Sequence, residues 1–118
     1  MGAETEDINS TNVKTVTIVQ GAHDPDNGQF YNPSTITVEP QTQIIWKNED
    51  MVQHTAVSGE RGSPDPSHPE SMIPNGIFDA GFILQGQSSL PTAMPSAPGV
   101  YPYFCFLHPF MNGTIIVK

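Results

Sequence analysis

Cys105, His108 and Met111 follow one another at three-residue steps within residues 103–111, and Cys105 is the only cysteine among the 118 residues. A thiolate, an imidazole and a thioether on one short loop can all turn toward a single ion. Soft sulfur donors combined with imidazole select copper over hard cations. A trigonal copper site of this kind takes a second imidazole, with a thioether as weak axial group. Among the remaining histidines, His54 opens a strand-like segment, whereas His23 and His68 sit in polar loops beside Asp24 and Pro69. His54 is therefore the expected fourth ligand, and His23 and His68 are expected in solvent. A lone cysteine is ordinarily a small buried hydrophobe, so the joint spacing, rather than any one residue, points to metal.

Such a cage needs a rigid mount. Residues 13–19 are rich in β-branched side chains and end at Gly21, as a strand does. Residues 35–39 alternate polar and apolar, Pro40-Gln41-Thr42 turns, and residues 43–48 resume, so these two strands read as a hairpin. Further strands are expected over residues 54–58, 77–84, 99–105 and 113–117, with a long loop over residues 59–76. No segment carries a sustained helical stripe. Short strands separated by turns predict an all-β antiparallel sandwich or barrel, with alternate residues filling the core. Trp46, Phe78, Tyr101 and Tyr103 are assigned to that core and its edges. The prolines of residues 90–98 fit only an irregular sheet edge.

The length suits one domain with one core: an acidic, loose tail over residues 1–12 and a domain over residues 13–118. Ten glycines and 12 prolines against 14% charged residues describe a turn-rich chain, not a highly charged disordered one. The net charge of −8 argues against binding nucleic acid or an anionic membrane surface, and a charged partner should be basic. No disulfide can form within the chain. No apolar stretch approaches the roughly 18 residues of a membrane span. The first seven residues read as a mature or truncated end behind an added start methionine, leaving room for a removed signal peptide or anchor. The glycosylation tripeptides at Asn9 and Asn112 carry little weight.

Residues 30–40, residues 44–50, His54-Thr55, Phe78-Asp79-Ala80-Gly81 and residues 99–105 each resemble segments of the plastocyanin and amicyanin branch of the cupredoxins, in that family's order. The resemblance spans roughly residues 13–118, and residues 105–111 are especially similar to the short ligand loop of amicyanins. It implies a Greek-key β-sandwich with one type 1 copper at one end, held by His54, Cys105 and His108 with Met111 axial. It further implies an exported, periplasmic or extracytoplasmic one-electron carrier, with a membrane tether compatible with that placement.

Three departures from the family pattern stand out. Thr55 and Phe106 replace the polar pair that often links the two ligand segments, which predicts a weaker link. Leu107 stands where proline is frequent, which predicts a more mobile loop. Residues 90–98 replace a regular strand. A redox partner is expected to dock near His108 and Phe110, on an apolar patch extended by Met51, Val52, Ile73 and Pro74. An acidic rim of Glu49, Asp50, Glu60, Asp65 and Glu70 would steer it. Two alternatives remain at this stage. If Met111 is displaced, small-molecule redox chemistry such as nitric oxide oxidation becomes accessible; the other alternative is copper delivery or storage.

Overall fold

Alternation of burial along the strands organises the molecule. In β1 (Val13–Ile18) and β4 (Gln43–Asn48), Val16, Ile18, Ile44 and Trp46 point inward and are fully buried, while Thr15 and Lys47 face solvent. The two strands pair in parallel, Val16 opposite Trp46 and Ile18 opposite Asn48. The short strands β2 (Tyr31–Asn32) and β7 (Thr92–Ala93) flank them, giving a four-stranded sheet in the order β2-β1-β4-β7. The second sheet holds β3 (Thr35–Val38), β5 (Val57–Arg61), β6 (Met72–Asp79), β8 (Gly99–Phe104) and β9 (Asn112–Val117), in the order β3-β9-β8-β5-β6.

This computed structural model describes residues 12–61 and 72–118. The expected tail, apart from Asn12, lies outside the described residues, as do His68, Asp65, Glu70 and the middle of the loop expected over residues 59–76. The two-sheet, Greek-key β-sandwich follows the expectation. Among the described residues, helical structure is limited to a three-residue 3-10 turn at Pro25–Asn27, and no helix is long and apolar enough to cross a membrane.

Several sequence readings need correction. β3 and β4 are not a hairpin: the turn at Gln41 carries the chain from one sheet to the other, and β3 pairs in parallel with β9. Both strands have an inward face, Val38 on one and Ile44 and Trp46 on the other, and opposite sheets let both faces reach one core. The sandwich is consequently mixed rather than antiparallel. The strand expected from His54 begins at Val57. The one expected over residues 77–84 is β6, which starts earlier and stops at Asp79, shortly before Gly81 takes a φ of 77°. His54 and Ile83 instead form an isolated bridge, with Ile83 N donating to His54 O at 2.8 Å and His54 N to Ile83 O at 3.1 Å. The proline-rich edge is irregular as expected, with only two residues of strand.

Aromatic rings fill the space between the sheets. Tyr103 meets Tyr31 edge-on at 4.6 Å and Trp46 at 5.3 Å, and Trp46 stacks on Phe78 at 5.9 Å. Tyr101 is partly buried and donates its hydroxyl to Ala97 O at 2.6 Å. Gly113 on β9 lies directly beneath Tyr103: a Cβ there would sit 2.6 Å from both Cζ and Oη of the tyrosine. Tyr103 is hemmed in by Tyr31 and Trp46 and cannot yield. Gly113→Ala should therefore destabilise the apo-protein by about 1–3 kcal/mol, measured by urea unfolding; an unchanged midpoint would contradict this packing.

Candidate metal centre

Two loops at one end of the sandwich bring the candidate ligands together. After β4, Asn48 builds a tight return: its Oδ1 accepts from Asp50 N at 2.9 Å, and its Nδ2 donates to Val52 O at 2.8 Å and Ile83 O at 3.0 Å. These bonds satisfy a buried amide and deliver His54, fully buried, to the inside. After β8, Cys105 begins a loop of two successive turns. His108 N donates to Cys105 O at 3.1 Å and Met111 N to His108 O at 2.9 Å, while Cys105 N donates to Met111 O at 3.1 Å across its base. The three-residue spacing read from the sequence is the span of these turns.

The Sγ of Cys105 lies 3.6 Å from Nδ1 of His54 and 3.6 Å from Nδ1 of His108. The three donor atoms fall within 4.8 Å of one another, so His54, Cys105 and His108 could hold one metal ion. One thiolate and two imidazole nitrogens aimed at a common point suit copper, for which soft and borderline donors are selective. Cys105 and Met111 are wholly buried with His54, and His108 alone is partly exposed. Met111 closes the loop and joins the core at the same end.

The link between the ligand segments is stronger than Thr55 and Phe106 suggested. Thr55 Oγ1 accepts from Phe106 N at 2.8 Å, and Thr55 N donates to Cys105 Sγ at 3.4 Å. A hydroxyl bonding to backbone needs no polar side chain after the cysteine. Tyr31 steadies the same point by donating its hydroxyl to Thr55 O at 2.6 Å.

Asp50, expected on an exposed rim, is buried, and His23, expected in solvent, is bound to it. Asp50 Oδ2 lies 2.7 Å from His54 Nε2 and 3.0 Å from His23 Nδ1. Burial alone would raise the Asp50 pKa, but donors from His54, Gly21, Met51 and His23 outweigh it and hold the carboxyl well below its usual 3.8. Burial opposes ionisation of Cys105 too. Hydrogen bonds from His54, Thr55 and His108 overcome that cost and bring the thiol from 9.0 to about 6, so at neutral pH a thiolate is available for a metal. Burial would lower the His54 pKa, but contacts with Cys105 and Asp50 outweigh it, for a net upward shift.

A two-sheet Greek-key sandwich with a Cys, His, His cluster at one end defines a cupredoxin. Residues 16–118 match the family of copper binding proteins of the plastocyanin/azurin type, and the chain belongs to that family. Its cofactor is copper, and the donor cluster fits a type 1 site. Among solved structures the chain is similar to a purple cupredoxin from Nitrosopumilus maritimus, at 25% identity and a TM-score of 0.70, covering 89% of this chain and 99% of that one. It is also similar to a reduced Cu(I) amicyanin variant at pH 4 and to an oxidized amicyanin variant. Both are 18% identical, with TM-scores of 0.58 and 0.59, covering 90% and 92% of this chain and 82% and 84% of theirs. At that identity the amicyanins speak for the fold alone.

Sequence reasoning missed Asp50 and His23 as parts of the centre. Asp50 stands four residues before His54, a spacing without meaning outside a helix, and His23 is 27 residues further away. The only sequence signal was the turn-forming Asn48-Glu49-Asp50. A carboxyl whose pKa is depressed on folding stabilises above its unfolded value and loses that contribution as pH falls through the folded one. The difference in apo-protein stability between wild type and Asp50→Asn should therefore shrink as pH falls below about pH 4, by up to about 1.4 kcal/mol per pH unit. Urea unfolding across this range measures it, and a difference that does not change with pH would contradict an ionised buried Asp50.

Proposed function

We propose that this protein is a one-electron carrier whose copper is held by His54, Cys105 and His108, with Met111 as axial group. The observation that carries the reading is the convergence of Sγ and two Nδ1 atoms in a cluster closed on all sides but that of His108. Bound copper supplies the Cu(I)/Cu(II) couple. The protein's part is to keep the donors in one arrangement for both states, and Thr55 and Asp50 hold them from outside. Burial of Met111 favours a closed site over small-molecule chemistry at copper. The interlocked loops also fit a resident metal better than one handed on or stored.

His108 is the electron's way out. Phe106 and Leu107 beside it are exposed, while Phe110 is half-buried against Phe30 with ring centroids 5.3 Å apart. Met51 and Ile73 are exposed as well. Thr55, Val57, Pro74, Gly81, Phe82 and Phe106 line an adjoining cleft. A redox partner docks on this apolar end in this reading, and the net charge of −8 favours a basic one. An exported, periplasmic setting accords with the family.

Addition of Cu(II) should give an intense visible thiolate-to-copper band that bleaches and returns through reduction and reoxidation. Cys105→Ser should abolish the band. A folded, colourless product from the wild-type protein would contradict the reading. Phe106→Gln should slow electron exchange with a partner while leaving the reduction potential nearly unchanged; equal rates would remove Phe106 from the docking surface.

A further inference from the structure

The Asp50 carboxylate is saturated with donors. Oδ1 accepts from Gly21 N and Met51 N, both at 2.9 Å; Oδ2 accepts from His23 N at 3.0 Å and His54 Nε2 at 2.7 Å. His23 Nδ1 reaches both oxygens, at 3.2 and 3.0 Å. An ionised carboxylate only accepts, so the shared protons lie on His54 Nε2 and His23 Nδ1. With Nδ1, which faces Cys105 Sγ, given to a metal, the remaining His54 proton is held on Nε2 against Asp50. The whole group is one chain from the buried site to a side chain 38% exposed, that of His23.

We infer that Asp50 is a positioning residue that fixes His54 for the metal and biases the site toward the cupric state, and that His23 moderates this bias from the surface. The inference rests on the ligand reading above. A carboxylate accepting from a ligating imidazole makes that ligand more basic, and a buried negative charge favours the more positive ion. His23 donates to the same oxygens and so takes up part of the charge that His54 would otherwise feel. Removing Asp50 and removing His23 should therefore shift the potential in opposite directions. A role confined to holding the loop in shape would give no such opposition.

The test is the reduction potential of the copper-loaded full chain, titrated with small mediators. Asp50→Asn should raise the potential by an amount matching about a tenfold weaker preference for Cu(II), about 59 mV for one electron. His23→Ala, at a partly exposed position, should lower it. Shifts of the same sign, or none, would overturn the inference. If Asp50→Asn does not fold, His23→Ala decides alone: a fall supports the inference, and a rise or no change overturns it. Small mediators need no protein partner, so these outcomes do not depend on the carrier role. A wild-type chain that takes up no copper would overturn the ligand reading and this inference together.

Discussion

The centre depends on Thr55. Its hydroxyl accepts from Phe106 N and its own N–H donates to the Cys105 sulfur, joining the segment that carries His54 to the loop that carries Cys105 and His108. The two segments lie 50 residues apart in sequence and otherwise meet where β5 pairs with β8, Val57 opposite Phe104. Because Tyr31 bonds Thr55 O and packs on Tyr103, the clasp is continuous with the aromatic core. Sandwich and site are thus one mechanical unit, and the loop of two turns between β8 and β9 inherits the rigidity of both strands.

Charge is distributed in the same spirit. A buried thiolate and a buried carboxylate would each be costly alone. Here both sit against His54, one at each ring nitrogen, with backbone and side-chain donors around them. The imidazole stands between two anions and is fixed from both ends. A site organised in this way needs little rearrangement when a metal changes its charge by one, which is the physical requirement of an electron carrier.

Much of this was legible in the sequence because it is local. The two-residue alternation of β1 and β4, the turn residues and the three-residue steps from Cys105 to Met111 are short-range patterns with direct geometric meaning. What escaped was long-range. Nothing near β3 and β4 said that they part into opposite sheets, since a hairpin and a crossover share the same local signals and differ only in where the inward faces find a partner. Asp50 read as a surface acid because its two histidines come from different parts of the chain. Thr55 read as a loss because the family link uses side chains on both segments, whereas here a backbone N–H supplies one half.

The central claim is that hydrogen bonds of the protein, rather than the metal, set the geometry of the centre. A pair of crystal structures, one of the apo-protein and one loaded with Cu(II), tests it most directly. The account predicts that His54, Cys105, Thr55 and Asp50 superimpose to within about 0.5 Å, with the Thr55 to Phe106 bond intact in both. An apo structure in which His54 or Cys105 swings to another rotamer, or in which the loop from Cys105 to Met111 loses its two turns, would contradict it.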